Sequence, residues 1–122
     1  MIGTSKQAHE RLHRLNKLVD HLIASQVIRS TKVANVMRAV DRGDFYHGGG
    51  AYEDCPQGIG YNATISAPHM HAFALEWLKD ALVPGAKVLD VGSGSGYLCA
   101  AFYEMTERKG KIVGIEHIEE LS

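Results

Sequence analysis

The stretch Lys87-Val88-Leu89-Asp90-Val91-Gly92-Ser93-Gly94-Ser95-Gly96-Tyr97 decides how the rest of the chain is read. Residues 87–91 form a short run rich in apolar side chains, the pattern of a strand in a covered sheet. Three glycines at alternate positions then make a turn. The spacing of Leu98, Ala101, Phe102 and Met105 predicts a helix over 97–107. Gly110 breaks that helix, and Lys111-Ile112-Val113-Gly114-Ile115-Glu116 is a second apolar strand. Strand, helix and strand in that order make a βαβ unit, parallel and right-handed. A new helix begins at Ile118.

The turn reads as a nucleotide-cofactor site. One glycine lets the chain bend off the strand, the next lets a ligand touch backbone, and a third lets helix and strand pack closely. Glu116, about twenty residues on, ends the second strand where a carboxylate can accept both hydroxyls of a ribose. Gly92, Gly94 and Gly96 give G-x-G-x-G, and Tyr97 stands where a dinucleotide fingerprint has its last glycine. Asp90 lies at the strand end, where it disfavours a pyrophosphate and attracts an ammonium group. The pattern therefore favours S-adenosyl-L-methionine over a dinucleotide. A hydrolase elbow, G-x-S-x-G, needs serine at its centre, and Gly94 is there instead.

Working outward toward the amino terminus, Pro84-Gly85 ends a helix that begins at Pro68, a first-turn residue with no donor to lose. Its apolar residues are Phe73, Leu75, Trp77, Leu78 and Leu82. Thr64, Ile65 and Ser66 form a short extended piece before it. Ser66 is read as an N-cap of that helix, a catalytic hydroxyl, or both. His69 and His71 are two apart and diverge on a helix; no third ligand lies at suitable spacing, so we assign no metal. His69 is read as a surface residue, His71 as a cofactor neighbour. Residues 44–62, with Gly48-Gly49-Gly50, Pro56, Gly58 and Gly60, are loop-like. Two amphipathic helices precede them. The first runs over 5–25 on Leu12, Leu15, Val19, Leu22 and Ile23; the second is capped by Ser30 or Thr31 and stops near Arg42-Gly43, with Val33, Val36, Met37 and Val40 on one face. Residues 1–43 are thus a helical cover, 44–67 a substrate and cofactor loop, and 68–122 a helix plus the βαβ unit.

The 122 residues are 45% hydrophobic and 22% charged with a net charge of −1, which suits one small globular domain and suggests neither a nucleic-acid nor an anionic-membrane partner. Cys55 and Cys99 are read as thiols in a reducing compartment. No apolar run approaches the roughly 18 residues of a membrane span. The amino-terminal MIGTSKQAHERLHRL lacks the apolar core of a signal peptide. We expect a cytosolic protein.

VLDVGSGSGYL and IVGIEHIEEL resemble the first two cofactor motifs of class I methyltransferases. YEDCPQGIGYNATISAPHMHAFALEWL is more specific, and resembles the protein-L-isoaspartate (D-aspartate) O-methyltransferases; the likeness runs over residues 12–121. It implies an α/β fold in which amino-terminal helices lead into the first βαβ unit of a class I, Rossmann-like methyltransferase sheet. It implies methyl transfer from S-adenosyl-L-methionine to the free carboxylate of L-isoaspartyl residues, with D-aspartyl sites secondary, in damaged proteins and peptides. The ester then collapses to a succinimide without the enzyme, and hydrolysis returns some normal aspartate. By position, the resemblance assigns Ser66 as the active-site serine. It places Ala63, Thr64, Ile65 and Ser66 at the cofactor–substrate junction, and His71, Ser93, Glu116 and His117 against the cofactor beside Asp90, Gly92, Gly94 and Gly96. Many relatives have aspartate where Glu116 stands; either acid can hold a ribose.

Members of that family are nearly twice this length, so the chain offers the first two parallel strands of a longer sheet. Later motifs that add adenine contacts and further strands have no counterpart here. Parallel sheets are normally covered on both faces, and open edges invite association. We expect a carboxyl-terminally truncated form that is marginal, self-associating through exposed sheet edges, or dependent on another polypeptide. The alternative function is a non-catalytic remnant that binds cofactor or isoaspartyl peptide weakly or not at all, and we expect little turnover from these 122 residues alone.

Overall fold

Helix α1 (Ser5–Ala24) forms because Leu15, Leu18, Val19 and Leu22 fall on one stripe and are buried together. Leu12 and Ile23, expected on that stripe, are 52% and 40% exposed; Leu18 takes the inward place between them. Helix α2 (Thr31–Ala39) starts at Ser30, whose hydroxyl accepts the Val33 N–H. Glu76 clamps the same start: its carboxylate accepts from the Arg29 and Ser30 N–H groups and the Ser30 hydroxyl. The helix ends at Ala39, short of the expected Arg42-Gly43, and Arg42–Asp44 makes a separate 3₁₀ turn. The structure is a computed structural model of the chain and describes residues 5–121; residues 1–4 and 122, included in the cover and the βαβ unit above, lie outside the described residues.

The span expected to be loop over 44–62 contains a strand. β1 (Gln57–Gly60) pairs antiparallel with β2 (Ala63–Ile65), with a register irregularity between Gly58 and Gly60. Tyr61 and Asn62 join them with φ of 56° and 59°, the double left-handed geometry that two-residue hairpins favour. Asn tolerates that region; Tyr61 does not advertise it, which hides the hairpin in the sequence. Helix α3 (Pro68–Leu78) does begin at Pro68. It buries His71, Ala72 and Leu75, whereas Phe73, Trp77 and Leu78 face outward, Trp77 at 81% exposure. Leu82 is buried in the turn that follows.

β3 (Lys87–Val91) and β4 (Lys111–Ile115) are parallel, Lys87 opposite Lys111 and Val91 opposite Ile115, joined by α4 (Tyr97–Met105). Tyr97, Ala101, Phe102 and Met105 of α4 are buried, and α4 packs on α2. The helix expected at Ile118 is a short 3₁₀ turn, Glu119–Leu121. One sheet face carries Val88, Asp90 and Ile112 toward the helices. The other leaves Leu89, Val91, Val113 and Ile115 between 44% and 75% exposed, an open face of the kind the two-strand reading anticipates. Among the described residues, no helix is long and apolar enough to cross a membrane.

Candidate active site

The turn leaving β3 is held by its own backbone. Gly92 and Ser93 N–H groups donate to the Ile115 carbonyl at 2.7 and 3.0 Å, and Gly96 N–H donates to the Ser93 carbonyl at 2.9 Å. Gly92, Gly94 and Gly96 have φ of 78°, 53° and 85°, so glycine is needed for backbone conformation at each. Close helix–strand packing does not explain the third: a Cβ on Gly96 would meet nothing within 4 Å. The tight approach lies instead at Gly114 of β4, where a Cβ would sit 2.8 Å from the Ser93 Cβ and 2.9 Å from the Cys99 sulfur. Sequence reading missed that glycine, although a glycine inside an apolar strand is the signal for close approach.

Facing the turn across a small cleft is the end of β2. Thr64, Ile65, Ser66 and His71 line one side; Asp90, Gly92, Ser93, Gly94, Ser95 and Leu98 line the other, around about 70 Å³. The cleft therefore brings together eight of the expected residues and adds Ser95 and Leu98. Ala63, Gly96, Glu116 and His117 are outside its lining. Ala63 is the first residue of β2, and Gly96 opens α4. The Glu116 carboxylate folds back on the turn, accepting from Gly94 N–H at 2.8 Å and Ile118 N–H at 2.9 Å. These bonds, that from Ile118 foremost and then Gly94, hold its pKa below the ordinary carboxylate value. The carboxylate is therefore tied to the turn, and its side chain is only 5% exposed. The side chain of His117 is 87% exposed, with Nδ1 3.3 Å from Glu116.

Ser66 does not cap α3. The N-cap is Ala67, with no side-chain bond, and Asp54 takes over that role from a distant loop by accepting the His69 N–H at 2.8 Å. Asp54 also meets His69 Nδ1 at 2.8 Å, so His69 has a surface partner. Among the described residues the Ser66 hydroxyl has no protein partner, and Ser66 is exposed at the cleft. Asp90 accepts a 3.5 Å contact from the Cys99 thiol, whose pKa is pushed up to about 11 by burial and by that carboxylate.

His71 is buried, and its ring stacks on Tyr97 at 4.5 Å with a 17° interplanar angle. Phe45 meets the same tyrosine edge-on at 5.5 Å. Tyr97, where a dinucleotide fingerprint would have glycine, thus supplies the platform that carries the histidine. Burial, followed by the nearby Arg42 charge, lowers the His71 pKa to about 4, so the ring is neutral at physiological pH. Arg42 lies 3.4 Å from its Nδ1. Nothing local in Asp41-Arg42-Gly43 flags a buried arginine, and sequence reading missed it.

The donor set fits an amino-acid cofactor tail. An acidic group, hydroxyls and a glycine backbone around about 70 Å³ suit the ammonium-bearing chain. A model of the protein-L-isoaspartate (D-aspartate) O-methyltransferase family matches residues 13–122. A protein-L-isoaspartate O-methyltransferase of Triticum aestivum is 56% identical over 115 residues, covering 93% of this chain and 50% of the relative. Its counterpart in Caenorhabditis elegans is 54% identical over 106 residues, covering 87% of this chain and 47% of the relative. A crystal structure from Plasmodium falciparum, assigned to the same activity and in complex with S-adenosyl-L-homocysteine, superposes with a TM-score of 0.83. It shares 36% identity and covers 88% of this chain and 50% of that one. The chain spans about half the length of the curated relatives it matches. With βαβ turn, facing serine and a family match over residues 13–122 in agreement, the chain belongs to the protein-L-isoaspartate (D-aspartate) O-methyltransferase family.

Proposed function

We propose that the chain takes part in S-adenosyl-L-methionine-dependent methyl transfer to the free carboxylate of L-isoaspartyl, and secondarily D-aspartyl, residues in damaged proteins. The observation that carries this reading is the cleft that sets the unpartnered Ser66 hydroxyl opposite Asp90 and the Gly92–Gly94 backbone. S-adenosyl-L-methionine supplies an electrophilic methyl group on a cationic sulfur. Asp90 and the Ser93 side of the turn hold the amino-acid tail, and the Glu116 carboxylate, braced on Gly94 and Ile118, is the acceptor for ribose hydroxyls. Thr64, Ile65 and Ser66, continued from Ala63, form the junction with the acceptor, and His71 backs it.

The acceptor carboxylate has an ordinary pKa of about 4 and is already ionised near neutral pH, so no strong base is required. Holding it aligned supplies roughly 7–11 kcal/mol of the barrier. A neutral hydroxyl is well matched to such alignment, because Ser66 binds one carboxylate oxygen and leaves the other nucleophilic. An arginine or lysine in its place would hold the anion harder and blunt it.

The acceptors are isoaspartyl-containing proteins and peptides in the cytosol. The open face with Leu89, Val91, Val113 and Ile115, together with the free strand edges, supports self-association, which sedimentation across a concentration series measures. To test the activity, the chain is incubated with labelled S-adenosyl-L-methionine and either an isoaspartyl peptide or its aspartyl counterpart. Base-labile methyl ester on the isoaspartyl peptide alone, at the low yield expected of these 122 residues, is the supporting result. Absence of label together with absence of S-adenosyl-L-homocysteine binding overturns the reading.

A further inference from the structure

Arg42 is 2% exposed, yet among the described residues no carboxylate lies within ion-pair distance of it. Its buried Nε has no hydrogen-bond partner, and its other contacts are the Cys55 carbonyl and His71 Nδ1, each at 3.4 Å. A buried guanidinium left this poorly paired is costly, and needs a reason. Its neighbour Asp41 explains how it is held inward. Asp41 accepts from Gly43 N–H at 2.8 Å, from the Tyr52 hydroxyl at 2.7 Å and from Arg11 at 2.9 Å, anchoring the 3₁₀ turn from outside while Arg42 points in.

The consequence falls on His71. A guanidinium has donors only, so the ring nitrogen facing it must accept. Nδ1 is therefore the unprotonated nitrogen, and the proton sits on Nε2. Among the described residues Nε2 has no partner, and the Arg42 Nε alone is both fully buried and unpaired, so Nε2 keeps some exposure, and His71 lines the cleft. Tyr97 stacks on the ring at 4.5 Å and favours this orientation.

We propose that Arg42 is a positioning residue that fixes His71 as its Nε2–H tautomer, making the ring a neutral hydrogen-bond donor to a carboxylate bound in the cleft. The ligand half of this inference rests on the methyltransferase reading; the tautomer half does not. A neutral donor is useful there for the same reason as Ser66: it orients a carboxylate without quenching it. The carboxylate comes either from the cofactor tail or from the isoaspartyl acceptor.

The test is long-range proton–nitrogen NMR on the chain labelled with ¹⁵N at histidine. The free chain is expected to show His71 with a pyrrole-like Nε2 and a pyridine-like Nδ1 shifted by accepting a hydrogen bond. Arg42→Lys, which keeps a cationic donor, retains that signature. Arg42→Leu loses the Nδ1 shift and gives averaged tautomers. A wild-type ring protonated on Nδ1, or an unshifted Nδ1, overturns the assignment, and this holds whether or not any variant folds. Addition of S-adenosyl-L-homocysteine or of an isoaspartyl peptide then separates the two carboxylates by which one moves the Nε2–H signal. If Gly92–Gly94 amides respond to S-adenosyl-L-homocysteine while Nε2–H moves with neither ligand, the donor role is overturned and the methyltransferase reading stands.

Discussion

The two walls of the cleft are built in opposite ways. The Asp90–Ser95 wall is local: one short stretch whose glycines and carbonyls bond to each other and to the adjoining strand. The Thr64–His71 wall is assembled from afar. His71 meets Arg42 from 29 positions away, and Asp54 caps α3 from 15 positions away. The local wall carries the chemistry a sequence motif can specify. The distant wall decides how a histidine and a serine present themselves, and it depends on the helical cover being in place.

That contrast is sharpest in acid. Folded His71 titrates at about 4 against an ordinary 6.5. Between these values the unfolded chain binds the extra proton, so the stabilisation is complete above about pH 6.5 and is lost as pH falls toward 4. The amount is about 3 kcal/mol. Urea unfolding at pH 7 and pH 4.5 measures it, and His71→Gln should remove most of the difference. Glu76 works in a lower window. Burial raises its pKa, but hydrogen bonds from Arg29 and Ser30 bring it below the ordinary carboxylate value, so its contribution is lost only on further acidification.

The local wall breaks differently. Gly114→Ala drives a methyl into Ser93 and Cys99, and overpacking of this sort costs about 1–3 kcal/mol. It should also weaken S-adenosyl-L-homocysteine binding, because Ser93 must shift; calorimetric titration checks this. A smaller effect is expected at the far cap: Asp54→Ala should cost about 1 kcal/mol in urea unfolding and leave the turn's amide shifts unchanged. Smallest of all in stability is Ser66→Ala. Exposed and not capping α3, it should stay within about 0.5 kcal/mol of the parent while methyl ester formation falls. A large stability loss there would mean that Ser66 is structural.

These differences show why some of the molecule is legible in its sequence. The βαβ unit, Asp90 before the turn and Glu116 after the second strand follow from periodicity and glycine spacing, both of which are local. The β1–β2 hairpin is hidden because Tyr61 adopts a left-handed conformation that its side chain does not signal. Capping is one of the readings of Ser66 because serine before a helix start usually caps it; Asp54, remote in sequence, takes that place instead. Arg42 is invisible for a similar reason. Its burial is caused by Asp41, Tyr52 and Arg11 meeting outside it, a convergence of three separate segments. Hydrophobicity alone would turn Phe73 and Trp77 inward, while the small residue Ala72 takes the buried position beside His71.

If one cleft joins the glycine turn to Ser66 and receives the methyl donor, both walls respond to the same ligand. Backbone amide NMR of the chain titrated with S-adenosyl-L-homocysteine tests this most directly. Concerted shifts are expected at Gly92, Ser93 and Gly94 together with Ser66 and His71, saturating at one ligand per chain. Shifts clustered elsewhere, with the turn and Ser66 unmoved, would contradict it.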